Sequence, residues 1–138
     1  MSKSFQYPSE MDAERLEQIL AAVENSWSSE TTLDANWNET RPSSGQCAVS
    51  SLVIQDFLGG RLLRATVSGI SHYWNLLPDG GEIDATRDQF ETFEPLNVEE
   101  RSREYVLSFP ATAERYRSIR QSVDDYIREN TYETVEEK

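Results

Sequence analysis

The sequence predicts an α+β domain, and three observations carry that expectation. Apolar residues recur at helical spacing near both ends of the chain: Met11, Leu16, Ile19, Leu20 and Val23, then Ala113, Tyr116, Ile119, Val123 and Ile127. Between them lie three strand-like runs, 61–68, 71–77 and 81–86, punctuated by Gly69 and by Pro78-Asp79-Gly80-Gly81. The 138 residues are 37% hydrophobic and 28% charged, which suits one globular domain over 1–138 with a core of its own.

Taken in order, Pro8-Ser9 opens the first helix, with Ser9 as cap and Asp12 in the capping-box position. This helix is expected to end near Ser26. Residues 27–44 read as a polar loop rich in Ser, Thr and Asn, and an irregular segment of that length is often functional. Its Trp27 and Trp37 either line a substrate cleft or anchor the loop, and the stability gained by burying an indole favours anchoring. Ser43 or Ser44 is placed to cap a second helix, Gln46 to Leu58, which Gly59-Gly60 stops. A meander of about three antiparallel strands follows. Arg87 to Phe90 reads as a short helical turn capped by Thr86, and residues 91–98 carry no clear pattern. The last helix runs from Pro110, acceptable at a first helical position, to about Glu129, and the tail 131–138 is expected to fray.

The net charge of −12 and pI near 4.4 argue against nucleic acid and anionic membranes as partners. The acidic excess lies in the flanks; residues 42–90 hold three basic and five acidic residues. One cysteine cannot form an internal disulfide, and with one histidine it falls short of a structural zinc site, so no metal or cofactor is expected. Met1 to Glu10 lacks the apolar core of a signal peptide, and no run approaches the roughly 20 apolar residues that span a bilayer. A cytoplasmic, reducing location is the expectation, where a lone thiol stays free.

That thiol carries the functional information. Cys47 stands at the apparent start of an apolar helix, where unpaired amides and a partial positive charge favour a thiolate, the attacking form. His72 opens the next strand but one, and Asp84 follows on the third. A thiol, an imidazole and a carboxylate are the parts of a Cys-His-Asp acyl-transfer site. Helix amides, joined by Gln46, would hold the oxyanion, and Trp74 and Trp37 are the candidate substrate contacts. Taken singly, each residue has a plainer reading. Cys47 can be a small core residue, His72 a satisfied buried ring beside aromatics, and Asp84 the cap of the next turn. Asp88 is a second candidate to orient His72. The acids Glu91, Glu94, Glu99 and Glu100 read as solvated surface.

Strand register tests the pairing. If Leu77 lies opposite Gly81 across a three-residue loop, Asp84 falls opposite Trp74 and diagonal to His72, on the same face. Gly80 suits the left-handed position of such a loop. A two-residue loop closing on Gly80 would send the pair to opposite faces.

Gly45-Gln46-Cys47 heading an apolar helix resembles the nucleophile motif of transglutaminases. His72-Tyr73-Trp74, a turn and Asp84-Ala85-Thr86 resemble that superfamily's His-x-Trp and Asp-x-Thr strands. The resemblance covers Ser43 to Arg87 and implies a papain-like, transglutaminase-like core, with Cys47 as nucleophile, His72 as base and Asp84 as its orienter. Ala48 stands where those enzymes carry an aromatic residue, and Ala85 where they carry proline. Gln46 to Phe90 is also similar to small bacterial proteins of the YunG-like group. The function expected is hydrolysis or transfer at an amide, ester or thioester carbonyl of a small molecule or peptide. The rival expectation is a non-catalytic acidic protein that binds a basic protein partner or a ligand.

Overall fold

The computed structural model describes residues 10–136, with side chains described over 13–130. Helix α1, Glu10–Glu24, buries Ile19, Ala22 and Val23, the inner part of the apolar stripe. Its expected cap Ser9, Asp12 and the Met11 side chain lie outside the described residues. Helix α2, Cys47–Leu58, contributes Val49, Val53 and Ile54 to the same core, and α4, Pro110–Glu136, contributes Ile119 and Val123. Each of these side chains is at most 2% exposed, and full burial of such a side chain stabilises by roughly 1.5–3 kcal/mol.

The sheet has four antiparallel strands rather than about three: β1 Arg61–Val67, β2 Ile70–Leu76, β3 Glu82–Ile83 and β4 Leu96–Arg101, in the order β3-β2-β1-β4. The β1–β2 turn is two residues, Ser68 and Gly69, both at positive φ, the geometry whose twist matches paired strands. Leu62 packs with Leu52 of α2, and Asn75 donates to the Ser51 carbonyl at 2.9 Å, so this face of the sheet meets α2. The alternate residues Leu63, Ala65, His72 and Trp74 face the other way, toward Phe90 and Phe93.

The register that decides the His72–Asp84 pairing is the one expected. Asn75 pairs with Ile83, Leu76 with Glu82, and the Leu77 amide donates to the Gly81 carbonyl at 2.7 Å. Gly80 in the intervening loop has φ +95°.

Several boundaries differ from expectation. The third strand is two residues, not 81–86, because the chain leaves the sheet into an Asp84-based turn and one turn of 3₁₀ helix, Arg87–Gln89. Thr86 makes no side-chain cap there. Strand β4 begins inside the patternless 91–98 segment. Five of its six residues are exposed, so no apolar alternation marks it, and a bulge between Arg64 and Thr66 with Asn97 at positive φ bends it. Neither Ser43 nor Ser44 caps α2. Gln46 occupies that position without a side-chain cap, while the Ser44 hydroxyl donates to Asp34 Oδ2 at 2.7 Å. A short helix, α3 Arg103–Leu107, capped by Ser102, precedes α4. Helix α4 continues past Glu129; the side chains of 131–138, and with them the frayed tail expected there, lie outside the described residues. Among the described residues, no helix is long and apolar enough to cross a membrane.

Candidate functional site

Cys47 is the first residue of α2 and half-buried, its Sγ 3.9 Å from the Ser71 carbonyl oxygen beside His72. The approach to it is tightly clamped. Gly45 has φ +71°, and a Cβ there would stand 2.4 Å from Thr32 Oγ1 and 2.6 Å from the Asp34 amide nitrogen. Only glycine lets the 32–34 segment lie on the chain that leads into the sulfur. The Leu33 amide donates to the Gly45 carbonyl at 2.9 Å and the Thr32 hydroxyl to that of Ser44 at 2.6 Å, completing the clamp.

His72 is fully buried. Its Nε2 lies 2.7 Å from Asp84 Oδ2, its ring stacks on Trp74 at 5.7 Å, and Phe90 and Phe93 meet it edge-on at 4.8 and 5.8 Å. Asp84 serves both readings of it at once, since Oδ1 accepts from the Thr86 amide at 3.2 Å while Oδ2 takes the imidazole. Burial pushes the His72 pKa down. The Asp84 hydrogen bond, the Cys47 sulfur as a second hydrogen-bond partner, and both negative charges outweigh it and raise the value to about 9. With Nε2 held by Asp84, Nδ1 is the remaining ring nitrogen, and Gln89 Nε2 lies 3.4 Å from it. Cys47 also lines a cleft of about 470 Å³, with Ala48, Tyr73, Val106 and Phe109 among its walls, a volume suited to a small ligand.

A family model described as YunG protein matches residues 15–128. The chain belongs to that family. A relative in Bacillus subtilis (strain 168), "Uncharacterized protein YunG", is 30% identical over 121 residues, which is 86% of this chain and 100% of the relative. No solved structure matches. The family match contains Cys47, His72 and Asp84, so the cluster lies inside the part of the chain that makes it a YunG protein.

The other expected site residues lie elsewhere in this YunG-family fold. The Gln46 side chain is buried and turned away from the cleft, with Oε1 accepting from the Thr31 hydroxyl at 2.7 Å and Nε2 donating to the Ser28 carbonyl at 3.2 Å. Both ends of the amide are committed to tying down the long loop. Trp37 is part-exposed and outside the cleft, its indole donating to the Pro42 carbonyl of its own loop at 2.9 Å. Trp74 is 5% exposed and donates to Glu82 Oε1 at 2.9 Å; it backs the imidazole rather than facing the cleft. Trp27 anchors the loop, donating to the Ser50 hydroxyl at 2.9 Å. Asp88 is exposed, which leaves the carboxylate on His72 to Asp84 alone.

One polar residue at the site carried no signal in the sequence. Gln89 ends the 3₁₀ turn and lines the cleft. Its Oε1 accepts from the Gly45 amide at 3.2 Å, which fixes the orientation of the side-chain amide. The Nε2 group then donates to the Thr86 hydroxyl at 3.0 Å and lies 3.4 Å from His72 Nδ1. Only the register of the Asp84 turn brings it back to Gly45, and periodicity does not report that.

Proposed function

We propose that this protein is a cysteine-dependent acyl-transfer enzyme with a Cys47-His72-Asp84 triad on a papain-like, transglutaminase-like core. The observation that carries the reading is the 2.7 Å contact of His72 Nε2 with Asp84, on a ring that also has the cleft-lining Cys47 sulfur as a hydrogen-bond partner. The chain order of the three groups and the nucleophile at a helix start support it.

The Cys47 thiolate attacks the carbonyl carbon of an amide, ester or thioester. A C–S bond forms and the carbonyl electron pair moves to oxygen. The first-turn amides of α2, which have no acceptor within the helix, are the donors at hand for that oxyanion. Neither glutamine joins them, since Gln46 Nε2 is engaged with Ser28 and Gln89 Nε2 with Thr86 and His72. The intermediate collapses, the bond to the leaving group breaks, and His72 gives that group its proton. Water or an amine then attacks the acyl-thioester, His72 takes its proton, and the C–S bond breaks to restore the thiolate beside a protonated His72. Asp84 holds the ring and stabilises the imidazolium throughout.

The test is the iodoacetamide alkylation rate of Cys47 at pH 6.5 in the wild type, His72→Gln and Asp84→Asn. Coupling of sulfur to imidazole predicts a fall of about tenfold or more in His72→Gln and a smaller fall in Asp84→Asn. Rates unchanged in both variants would sink the triad.

A further inference from the structure

The chain carries −12, yet the cleft beside Cys47 has the opposite character. Three arginines line it, Arg64, Arg101 and Arg115, and no aspartate or glutamate does. Arg64 and Arg101 share one carboxylate, Glu99, at 3.7 and 2.7 Å, and Glu99 stands outside the lining. Arg115 donates to the Thr112 hydroxyl at 3.2 Å and has no ion-pair partner among the described residues. Three guanidinium groups therefore face one carboxylate in an otherwise acidic molecule. The burial of Tyr73 raises its phenol pKa, and Arg101 and Arg64 pull it back, so both act on the cleft wall.

The second feature is apolar. Of the six large hydrophobic residues exposed among the described residues, four line this cleft: Leu33, Ile70, Tyr105 and Phe109. Exposed apolar area gathered at one concavity marks a binding surface rather than scatter.

We propose that the cleft takes an acyl substrate joining an apolar chain to an anionic group, carboxylate or phosphate, with the reacting carbonyl at Cys47 and the anion at Arg101 and Arg115. The inference rests on the acyl-transfer reading for the place of the carbonyl, and on the cleft alone for the charge. Cationic walls in a low-dielectric cleft concentrate anions about tenfold or more, against the repulsion of the whole chain.

The experiment compares alkylation of Cys47 by iodoacetate and by iodoacetamide, the ratio of rates being normalised to glutathione. The wild type is expected to exceed the reference about tenfold, and the ratio to fall severalfold in Arg115→Gln, in Arg101→Gln and in about 0.5 M salt. A ratio at or below the reference overturns the cationic cleft while leaving the triad standing. If neither reagent labels Cys47, the acyl-transfer reading fails and calorimetry decides the charge separately. Octanoate or octyl phosphate binding at least about tenfold more tightly than octanamide supports an anion site. The tighter of the two names the anion. Equal binding of all three, or binding of none, overturns the site.

Discussion

Asp84→Asn is the sharpest perturbation because it keeps the shape of the side chain and removes only its charge. The amide oxygen can still accept from the Thr86 amide, as Asp84 Oδ1 does at 3.2 Å, so the turn after β3 is expected to survive. What changes is the partner of His72 Nε2, now 2.7 Å from a carboxylate oxygen. Burial is the largest influence on this histidine and acts downward, so without the carboxylate its pKa should fall from about 9 to the ordinary 6.5 or below. The interval between about 9 and 6.5 corresponds to about 3 kcal/mol of preference for the imidazolium. Because the folded value is the raised one, this stabilisation is complete below pH 6.5 and is lost as pH rises through 9. His72 is the only histidine, so one pair of ring carbon-proton signals reports it without assignment. NMR titration of wild type and variant, with urea unfolding at about pH 6 and pH 9.5, reads both quantities. The wild type should lose about 3 kcal/mol more than Asp84→Asn between those pH values. A wild-type ring titrating near 6.5, or a value unmoved in the variant, refutes the coupling.

Gly45→Ala should destabilise the fold by about 2 kcal/mol or more, because its Cβ would meet backbone at Asp34 and the residue would sit at φ +71°. Urea denaturation measures it, and a loss below about 0.5 kcal/mol would show that the 32–34 clamp yields freely. Asp56 accepts from Tyr116 at 2.5 Å and pairs with Arg103 and Arg120 at 2.6 and 2.8 Å, so Asp56→Ala leaves half-buried Arg103 without a carboxylate and Arg120 with Asp124 alone, at 3.1 Å. Discounted for the exposure of the arginines, the expected cost is about 2–3 kcal/mol, and a thermal midpoint within about 1 °C of wild type would contradict it.

The elements that could be read in the sequence are those whose pattern comes from a buried stripe or a turn with obligatory residues. The Ile19–Val23 and Ile119–Val123 faces are fully buried, and their spacing announces them. Gly69 and Gly80 mark turns that need positive φ, and the register around Gly80 then places Asp84 on the His72 face. Strand β4 escaped because it is an exposed edge whose pairing with β1 leaves no apolar alternation. Gln46 was placed in the cleft by its neighbour Cys47, but adjacent residues at a helix start point in different directions. Its side chain instead satisfies Thr31 and Ser28 in the loop. Gln89 reaches the site through a turn whose geometry depends on Asp84, and no local rule carries a glutamine across to Gly45.

Burial alone does not distinguish a working histidine from a structural one, since either needs both ring nitrogens satisfied. The difference lies in the second partner. Asp84 closes one nitrogen of His72, and Trp74, Phe90 and Phe93 close the faces and edges of the ring. The remaining nitrogen, Nδ1, has Gln89 Nε2 at 3.4 Å and the Cys47 sulfur beside it, and a neutral thiol is a poor partner for an imidazole. Cys47 becomes a strong partner only as a thiolate beside an imidazolium. Asp84 and the Cys47 sulfur both raise the His72 pKa against the burial that lowers it. On the acyl-transfer reading proposed above, the contacts that satisfy this buried ring would also arm the sulfur facing the cleft.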